Sequence, residues 1–313
     1  MRFVIDETSW KFEHLGVENC VDALETMLDL LDDAFAEGHP VCYSDELFNT
    51  FVWRDKTFYD LYSDDSPIAI PRDVQERIGT IFNGLAKWQD LPQNWPPSFD
   101  VKVSGQGICT APSVAWAHEQ TLSDNECAVA CIVLHIEISG MLDTEVSTRS
   151  IPLWFVKDRE NYCLFFRWLI TETTTAPSGM ESFALSAFPK LDFISGAFGG
   201  IKDMSKPYQT VVRSITHHLG VLSDHGQRVF SGPRSSVASE FGGLHVDISD
   251  ENGNTKGNSI ARTERTKTVN GSNVIFWWHT KLERHQNRIH IYPDNVPTGG
   301  RILIGIFCMH LTT

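Results

Sequence analysis

The sequence lacks the segments that mark membrane and secreted proteins. Its apolar runs fall short of the roughly 20 residues that span a bilayer, and the opening stretch MRFVIDETSW has no apolar signal core. The seven cysteines are dispersed and form no CxxC pair, which disfavours a disulfide framework and a cysteine-based zinc site. Internal repeats and low-complexity tracts are also absent. We therefore expect a cytoplasmic protein without a membrane partner.

Charge is present, but it is unevenly distributed. The 313 residues carry a net charge of −14. Residues 1–204 hold 14 basic and 32 acidic side chains, whereas residues 205–313 hold 12 basic and 8 acidic ones. A basic C-terminal part favours contact with a phosphate backbone, so RNA is the expected partner. A protein encoded nearby is a second candidate partner.

The apolar pattern predicts two domains. Short apolar stretches such as RFVID and PVCYS alternate with amphipathic helical segments, which indicates an acidic α/β domain over residues 1–190. A junction rich in Thr, Ser, Gly and Pro follows. Residues 191–313 then predict a basic α+β domain, in which a helix over KPYQTVVRSITHHLGVLSDHGQRVF precedes an antiparallel sheet. The expected strands of this sheet are GGLHVDI, ARTERTKTV, NVIFWWHTKL, RIHIYP and RILIGIFCMHL.

The stretch VIFWWHTKLERHQNRIHIYP predicts a β-hairpin with an unusual polar face. With residues 284–287 as its loop, Lys281 lies opposite His290 and Glu283 lies opposite Arg288. Because side chains alternate between the faces of a strand, apolar residues collect on one face. The other face carries His279, Lys281, Arg288, His290 and Tyr292.

These residue types suit RNA cleavage without a metal. Imidazoles transfer protons near neutral pH, so His279 and His290 are candidates for the general acid and base. Cations stabilise the charge that develops on the phosphorus centre, which gives Lys281 and Arg288 a role in holding phosphate. An ordinary basic surface that contains histidines is the alternative interpretation.

The order VIFWWHTKL, turn, RIHIY, turn, RILIGIFCMHL resembles the C-terminal sheet of RelE- and HigB-type bacterial toxins. These toxins are ribonucleases, so the resemblance implies RNA cleavage and no cofactor at this site. The pattern FWWHTKL, RIHI, GIFCMHL is also similar to uncharacterised bacterial proteins, some of them linked to phage defence, which implies a toxin or phage-defence setting. This chain ends in MHLTT and lacks the basic C-terminal run of the toxins. Carried over to this sequence, the catalytic residues are His279, Lys281, Arg288, His290, Tyr292 and His310.

The first strand ends in Asp6, and FVIDETSW is similar to the opening of PIN-type nucleases. Those enzymes hold Mg²⁺ or Mn²⁺ with acids at the ends of their strands, and the metal activates water. The resemblance implies a metal site made of Asp6, Glu46 and Asp158. The acid expected at the start of the SVAWAHEQ helix is missing, so Asp124 or Glu126 would have to replace it.

Two other functions stay open. His245 and Asp247 in HVD, together with His290 and Arg301, have the spacing of iron(II) and 2-oxoglutarate dioxygenases, whose metal is held by a facial triad. The expected strands are too few for the jelly roll of that family. A non-catalytic defence sensor or adaptor is the other alternative.

Overall fold

The computed structural model describes residues 2–63, 65–91, 95–104, 107–123, 129–135 and 139–313. The chain divides into two compact units, unit 1 (Met1–Phe165) and unit 2 (Phe166–Thr313). The sequence predicted a junction near residue 190, but residues 177–187 are helical and residues 191–193 pair with the last strand of unit 2. No helix among the described residues combines the length and apolarity that crossing a membrane requires.

Unit 1 is an α/β structure, as predicted. Its helices are α1 (Val17–Ala36), α2 (Arg72–Gly84), α3 (Pro112–Ser123) and the first part of α4 (Arg159–Thr173). Its strands are β1 (Arg2–Ile5), β2 (Val41–Tyr43), β3 (Phe51–Trp53), β4 (Lys56–Thr57), β5 (Ala86–Lys87), β6 (Asp100–Val103), β7 (Ile108–Thr110), β8 (Val129–Ile132), β9 (Gly140–Val146) and β10 (Arg149–Val156).

The main sheet of unit 1 has the strand order β5-β2-β1-β8-β10-β9-β6-β7. Strands β5, β2, β1, β8 and β10 run parallel to one another. The pairs β10–β9, β9–β6 and β6–β7 are antiparallel. Strands β1 and β8 are almost continuously apolar because helices cover both faces of a parallel sheet. The carboxyl ends of the parallel strands therefore lie at one edge, where ligands bind in such sheets.

Unit 2 is α+β. Beyond the end of α4, its helices are α5 (Pro177–Ala187), α6 (Tyr208–Phe230), α7 (Val237–Gly243), α8 (Gly253–Gly257) and α9 (Ser259–Arg265). Its strands are β11 (Leu191–Phe193), β12 (Asp247–Asp250), β13 (Thr266–Val269), β14 (Ser272–Ile275), β15 (Trp278–Lys281), β16 (Arg288–Tyr292) and β17 (Ile302–Cys308). The five-stranded sheet has the order β11-β17-β16-β15-β12, and only the β11–β17 pair is parallel.

Three of the predicted strands of unit 2 differ from the structure. ARTER is helical because the Asn258 side chain accepts hydrogen bonds from the first amides of α9 and caps that helix. NVIFWWHTKL is interrupted at residues 276–277 and forms two strands, β14 and β15. GGLH belongs to the end of α7 and the following turn, where His245 has a φ of 60°.

The predicted hairpin forms, but its register is shifted by two residues. His279 pairs with His290 and Lys281 pairs with Arg288, so the predicted pairing of Lys281 with His290 is wrong. The loop is six residues long because Asn287, at a φ of 59°, bonds through its side chain to Glu283. A two-residue shift preserves the faces, since side chains repeat every second residue.

Candidate metal centre in unit 2

The structure brings His279 and His290 together but does not leave them at a surface. Their rings lie 5.2 Å apart, and the two residues are 3% and 0% exposed. Lys281, Arg288 and Tyr292 on the same face are half-buried. The two imidazoles of the predicted accessible face are therefore buried, whereas its other side chains keep partial exposure.

Burial also changes the chemistry of the two imidazoles. Burial, followed by the charges of Arg288 and Lys281, lowers the pKa of His279 to about 3. Burial and the neighbouring His279 hold the pKa of His290 well below its usual value. A neutral imidazole cannot protonate a leaving oxygen at neutral pH, so the metal-free acid–base roles lose their physical basis. His310 is exposed beyond the end of β17 and is not part of this cluster.

Glu251 is the residue of this cluster that sequence reasoning missed. It follows β12 directly, and its amide donates to the carbonyl of Trp277 at 3.2 Å. Its carboxylate is 8% exposed and accepts hydrogen bonds from Arg265 at 2.7 and 3.2 Å. The same oxygen, Oε1, lies 3.4 Å from Nδ1 of His279.

The ring of His279 is held by hydrogen bonds at its Nε2 atom. Its Nε2 atom lies 3.2 Å from the hydroxyl of Ser249 and accepts from Nη1 of Arg288 at 2.5 Å. Its Nδ1 atom, on the side of Glu251, makes no hydrogen bond of normal geometry with the described residues. The ring is therefore oriented by one nitrogen, and the other nitrogen faces a carboxylate.

His290 shows the same arrangement more clearly. Its Nδ1 atom lies 3.2 Å from the carbonyl oxygen of Phe276. A carbonyl only accepts, so Nδ1 carries the proton and Nε2 carries the lone pair. Nε2 is buried and has no hydrogen-bond partner among the described residues. An unsatisfied buried acceptor costs about 1–3 kcal/mol, so this atom calls for an explanation.

Together, Glu251, His279 and His290 offer one metal-ligand atom each, and these three atoms lie within 4.8 Å of one another. Ligand atoms around a tetrahedral zinc ion lie roughly 3.4 Å apart, so side-chain adjustments of about 1 Å close the site. Two imidazoles and a carboxylate suit zinc, iron, manganese or cobalt, whereas magnesium and calcium prefer oxygen ligands alone.

The surrounding hydrogen bonds are those that metal ligands need. Metal-bound histidines donate their second N–H to a carbonyl, carboxylate or hydroxyl, and ligating carboxylates are themselves hydrogen-bonded. Phe276 takes this position for His290 and Arg265 for Glu251. Ser249 lies where it can accept from Nε2 of His279, which requires that Arg288 first release that nitrogen. The Arg265 cation offsets the charge of Glu251, which lowers the affinity for a divalent ion relative to a site without it.

The residues predicted from the dioxygenase spacing are not brought together. His245 lies exposed in the turn before β12, and Asp247 accepts a hydrogen bond from Lys281 at 3.0 Å. Arg301 is 53% exposed and lies 3.5 Å from Asp192. Only His290 of that set belongs to the cluster, so this triad is wrong.

The three acids predicted from the PIN resemblance form no group of metal-ligand atoms in the part of the chain that the structure describes. Asp6 is buried at the carboxyl end of β1, and burial raises its pKa. Glu46 is exposed and bonds to Asn49, and Asp158 caps α4 by accepting from an amide of its first turn. The suggested replacements, residues 124 and 126, lie outside the described residues.

Comparisons of the chain with protein-family models, curated proteins and solved structures find no match. The resemblances to toxin ribonucleases and to PIN-type nucleases therefore stay predictions. The chemistry of the Glu251, His279 and His290 cluster is the basis on which a function is inferred.

Proposed function

We propose that unit 2 binds one divalent transition-metal ion through Glu251, His279 and His290 and uses it to hydrolyse RNA phosphodiester bonds. The observation that carries the proposal is the Nε2 atom of His290, which is buried, unprotonated and without a partner. A metal ion satisfies this lone pair together with Nδ1 of His279. No donor among the described residues does so.

Three protein ligands leave at least one coordination position for water, as in catalytic zinc sites. A metal held by these three residues would supply a bound water of lowered pKa as the nucleophile. That water would add to phosphorus as the bridging phosphorus–oxygen bond breaks, and the leaving oxygen would take up the proton that the water releases. Arg288 lies on the same sheet face and is half-buried, which suits it to stabilise the charge on the phosphorus centre, whereas Lys281 is paired with Asp247.

Metal binding would also change the role of Arg288. With a metal on Nδ1 of His279, the proton of the neutral ring resides on Nε2, which then donates to Ser249. Arg288 can no longer donate to that nitrogen and must turn away from it. Loading of the metal thus makes the guanidinium available for a phosphate.

The first test is metal binding by the purified full-length chain. We expect one equivalent of Zn²⁺ or Co²⁺ per chain, with a tetrahedral Co²⁺ absorption spectrum. His290→Gln should lose this binding, whereas His245→Ala, which changes an exposed histidine of the same unit, should keep it. Failure of the wild-type chain to bind any of Zn²⁺, Co²⁺, Fe²⁺ or Mn²⁺ would end the proposal.

The second test is cleavage of labelled RNA by the metal-loaded chain. EDTA and His290→Gln should each abolish cleavage, while His310→Ala should leave it unchanged. With Arg288 as the cation assigned to the phosphate, the salt dependence of RNA affinity should be shallow, with about one phosphate neutralised and a log–log slope of about −0.7. Metal binding without RNA cleavage would retain the metal centre and reject RNA as the substrate.

The donor set itself favours a second candidate. Two histidines and one carboxylate with open positions are also the ligands of non-haem iron(II) oxygenases. The two functions differ in the metal that supports turnover. Oxygen consumption that requires Fe²⁺ and is not supported by Zn²⁺ would replace hydrolysis with oxygenation at the same centre.

A further inference from the structure

Unit 1 contains a cleft of its own, lined by residues between positions 43 and 87. Its volume is about 410 Å³, within the range of small-molecule sites. Tyr43 and Lys87 line it, and they are the last residues of β2 and β5. The cleft therefore lies at the carboxyl ends of parallel strands, where sheets of this kind bind their ligands.

Aromatic rings form much of the cleft wall. The ring of Phe48 lies 5.2 Å from Tyr59 and 5.3 Å from Phe82, and Tyr43 lies 5.3 Å from Phe82. Tyr59 is 62% exposed, and Tyr62 stands beside the mouth with 37% of its surface exposed. Rings that are left partly exposed around a cleft of this size offer stacking surfaces to a planar heteroaromatic ligand.

Gly79 keeps the cleft open on the side of α2. A Cβ atom added there meets no other atom within 4 Å, so close packing does not explain the glycine. Glycine is a poor residue for the interior of a helix. Because Gly79 lines the cleft, a larger side chain would project into it.

Asp45 supplies a polar group of a specific kind. It follows β2. When the five parallel strands are numbered by their position in the sequence, their order in the sheet is 3-2-1-4-5, and β2 is number 2. An acid in that position of a doubly wound sheet hydrogen-bonds ribose hydroxyls. The Gln89 side chain donates to Oδ1 of Asp45 at 2.6 Å and so orients the carboxylate. The side-chain amide of Asn83, which also lines the cleft, suits the edge of a base. Gln75 offers its oxygen, because its Nε2 donates to the carbonyl of Ile70 at 2.9 Å.

We propose that this cleft binds a nucleoside, with the base against the aromatic wall and the ribose hydroxyls at Asp45. The negative charge of unit 1 disfavours a phosphorylated ligand. Unit 1 contains 11 Lys and Arg against 28 Asp and Glu, and Lys87 is the cation that lines the cleft. A free nucleoside is therefore favoured over a mononucleotide or an RNA strand.

Calorimetric titration of the full-length chain with adenosine, guanosine, cytidine and uridine tests the proposal. We expect at least one nucleoside to bind with a dissociation constant of about 0.1 mM, an ordinary value for a ligand of this size. The corresponding 5′-monophosphate and a six-residue homo-oligonucleotide should bind more weakly at low salt. Tighter binding of the oligonucleotide would overturn the preference for a free nucleoside.

Variants of the cleft complete the test. Gly79→Leu and Tyr59→Ala should each weaken binding about tenfold or more, and Tyr59 is exposed enough for its removal to leave folding intact. Thr80→Leu, at the next and exposed position of α2, should change little. Asp45→Asn should reduce the preference for a ribonucleoside over its 2′-deoxy form. No binding by any of the four nucleosides, or binding that Gly79→Leu and Tyr59→Ala leave unchanged, would refute the proposal.

Discussion

Replacement of Glu7 by glutamine should remove a pH-dependent destabilisation of unit 1. Glu7 is 4% exposed and follows Asp6 at the carboxyl end of β1. Its Oε1 atom accepts from the amide of Ser113, in the first turn of α3, at 3.1 Å, and Oε2 has no hydrogen-bond partner among the described residues. Burial, and then the charge of Asp6, raises the pKa of Glu7 to about 7.

The sign of the effect follows from proton linkage. A folded pKa of about 7 against an ordinary value of 4.5 means that the folded protein holds the proton more tightly. Between pH 4.5 and pH 7, the folded state binds more protons than the unfolded state, so the free energy of unfolding decreases as pH rises. The difference between the two pKa values corresponds to about 3 kcal/mol, and the loss is complete above pH 7.

Glutamine keeps an acceptor for the Ser113 amide but carries no charge. Its buried NH₂ group needs a partner, which offsets part of the gain, so the pH slope is a better measure than the absolute stability. Urea denaturation of wild type, Glu7→Gln and the exposed control Glu25→Gln, followed by tryptophan fluorescence from pH 5 to pH 8, measures that slope. A stability difference between wild type and Glu7→Gln that stays constant over this range would refute the reasoning.

Three further predictions concern unit 2. Arg265→Met leaves Glu251 buried without its ion-pair partner and should lower the free energy of unfolding by about 3–5 kcal/mol. Binding of Zn²⁺, at a hundredfold excess over its dissociation constant, should restore about 2.7 kcal/mol of this free energy, as measured in thermal melts. The proton of His279 should reside on Nδ1 in the metal-free protein and on Nε2 after Zn²⁺ binding, which ¹⁵N chemical shifts distinguish, and an unchanged tautomer would exclude Nδ1 as a ligand. Gly200→Ala places a Cβ atom 2.2 Å from a main-chain oxygen of β17, so it should destabilise by about 2 kcal/mol or more, whereas Gly199→Ala, which meets no atom within 4 Å, should be well tolerated.

Local patterns predicted the alternation of strands and helices in unit 1, and RFVID and PVCYS contain β1 and β2, but the strands β3 to β7 and β9 were not predicted. The apolar spacing in α1 places Leu24, Leu28 and Leu31 on its buried face, as expected for an amphipathic helix. The short apolar segments of β1 and β8 form the buried centre of the sheet. The order in which these strands pair depends on contacts between residues far apart in the chain, and the composition of a single strand carries no information about its neighbours.

In the β15–β16 hairpin, the alternation of apolar and polar residues predicts the faces of the strands but not their register. Alternation assigned His279 and His290 to one face and Ile289 to the other, and both assignments agree with the structure. Alternation cannot detect a shift by two residues, because every side chain then keeps its face. The register is determined by the loop, where Asn287 bonds to Glu283 and Ser205, and Ser205 lies 82 positions away in the sequence.

Glu251 could not be found by motif spacing. It lies in DENGN, a stretch with the composition of a solvent-exposed loop, and it is separated from the two histidines by the whole of α8, α9 and the β13–β14 hairpin. The signal that does exist is topological. An acid directly after an edge strand becomes a neighbour of the adjoining strand, and β12 pairs with β15 in the register Ser249 to His279.

The same topology pairs part of the basic charge of the C-terminal part with acids near this sheet. Three acids in or directly after β12 neutralise nearby cations: Asp247 pairs with Lys281, Asp250 with Lys256, and Glu251 with Arg265. A surplus of cations along a segment indicates a nucleic-acid surface only if the fold leaves those cations unpaired. Here the three acids pair with Lys281, Lys256 and Arg265, and the two imidazoles nearby are buried and neutral. In the proposed function, recognition of a substrate by this face depends on coordination at the Glu251, His279 and His290 cluster and on Arg288 rather than on the electrostatic potential of a basic patch.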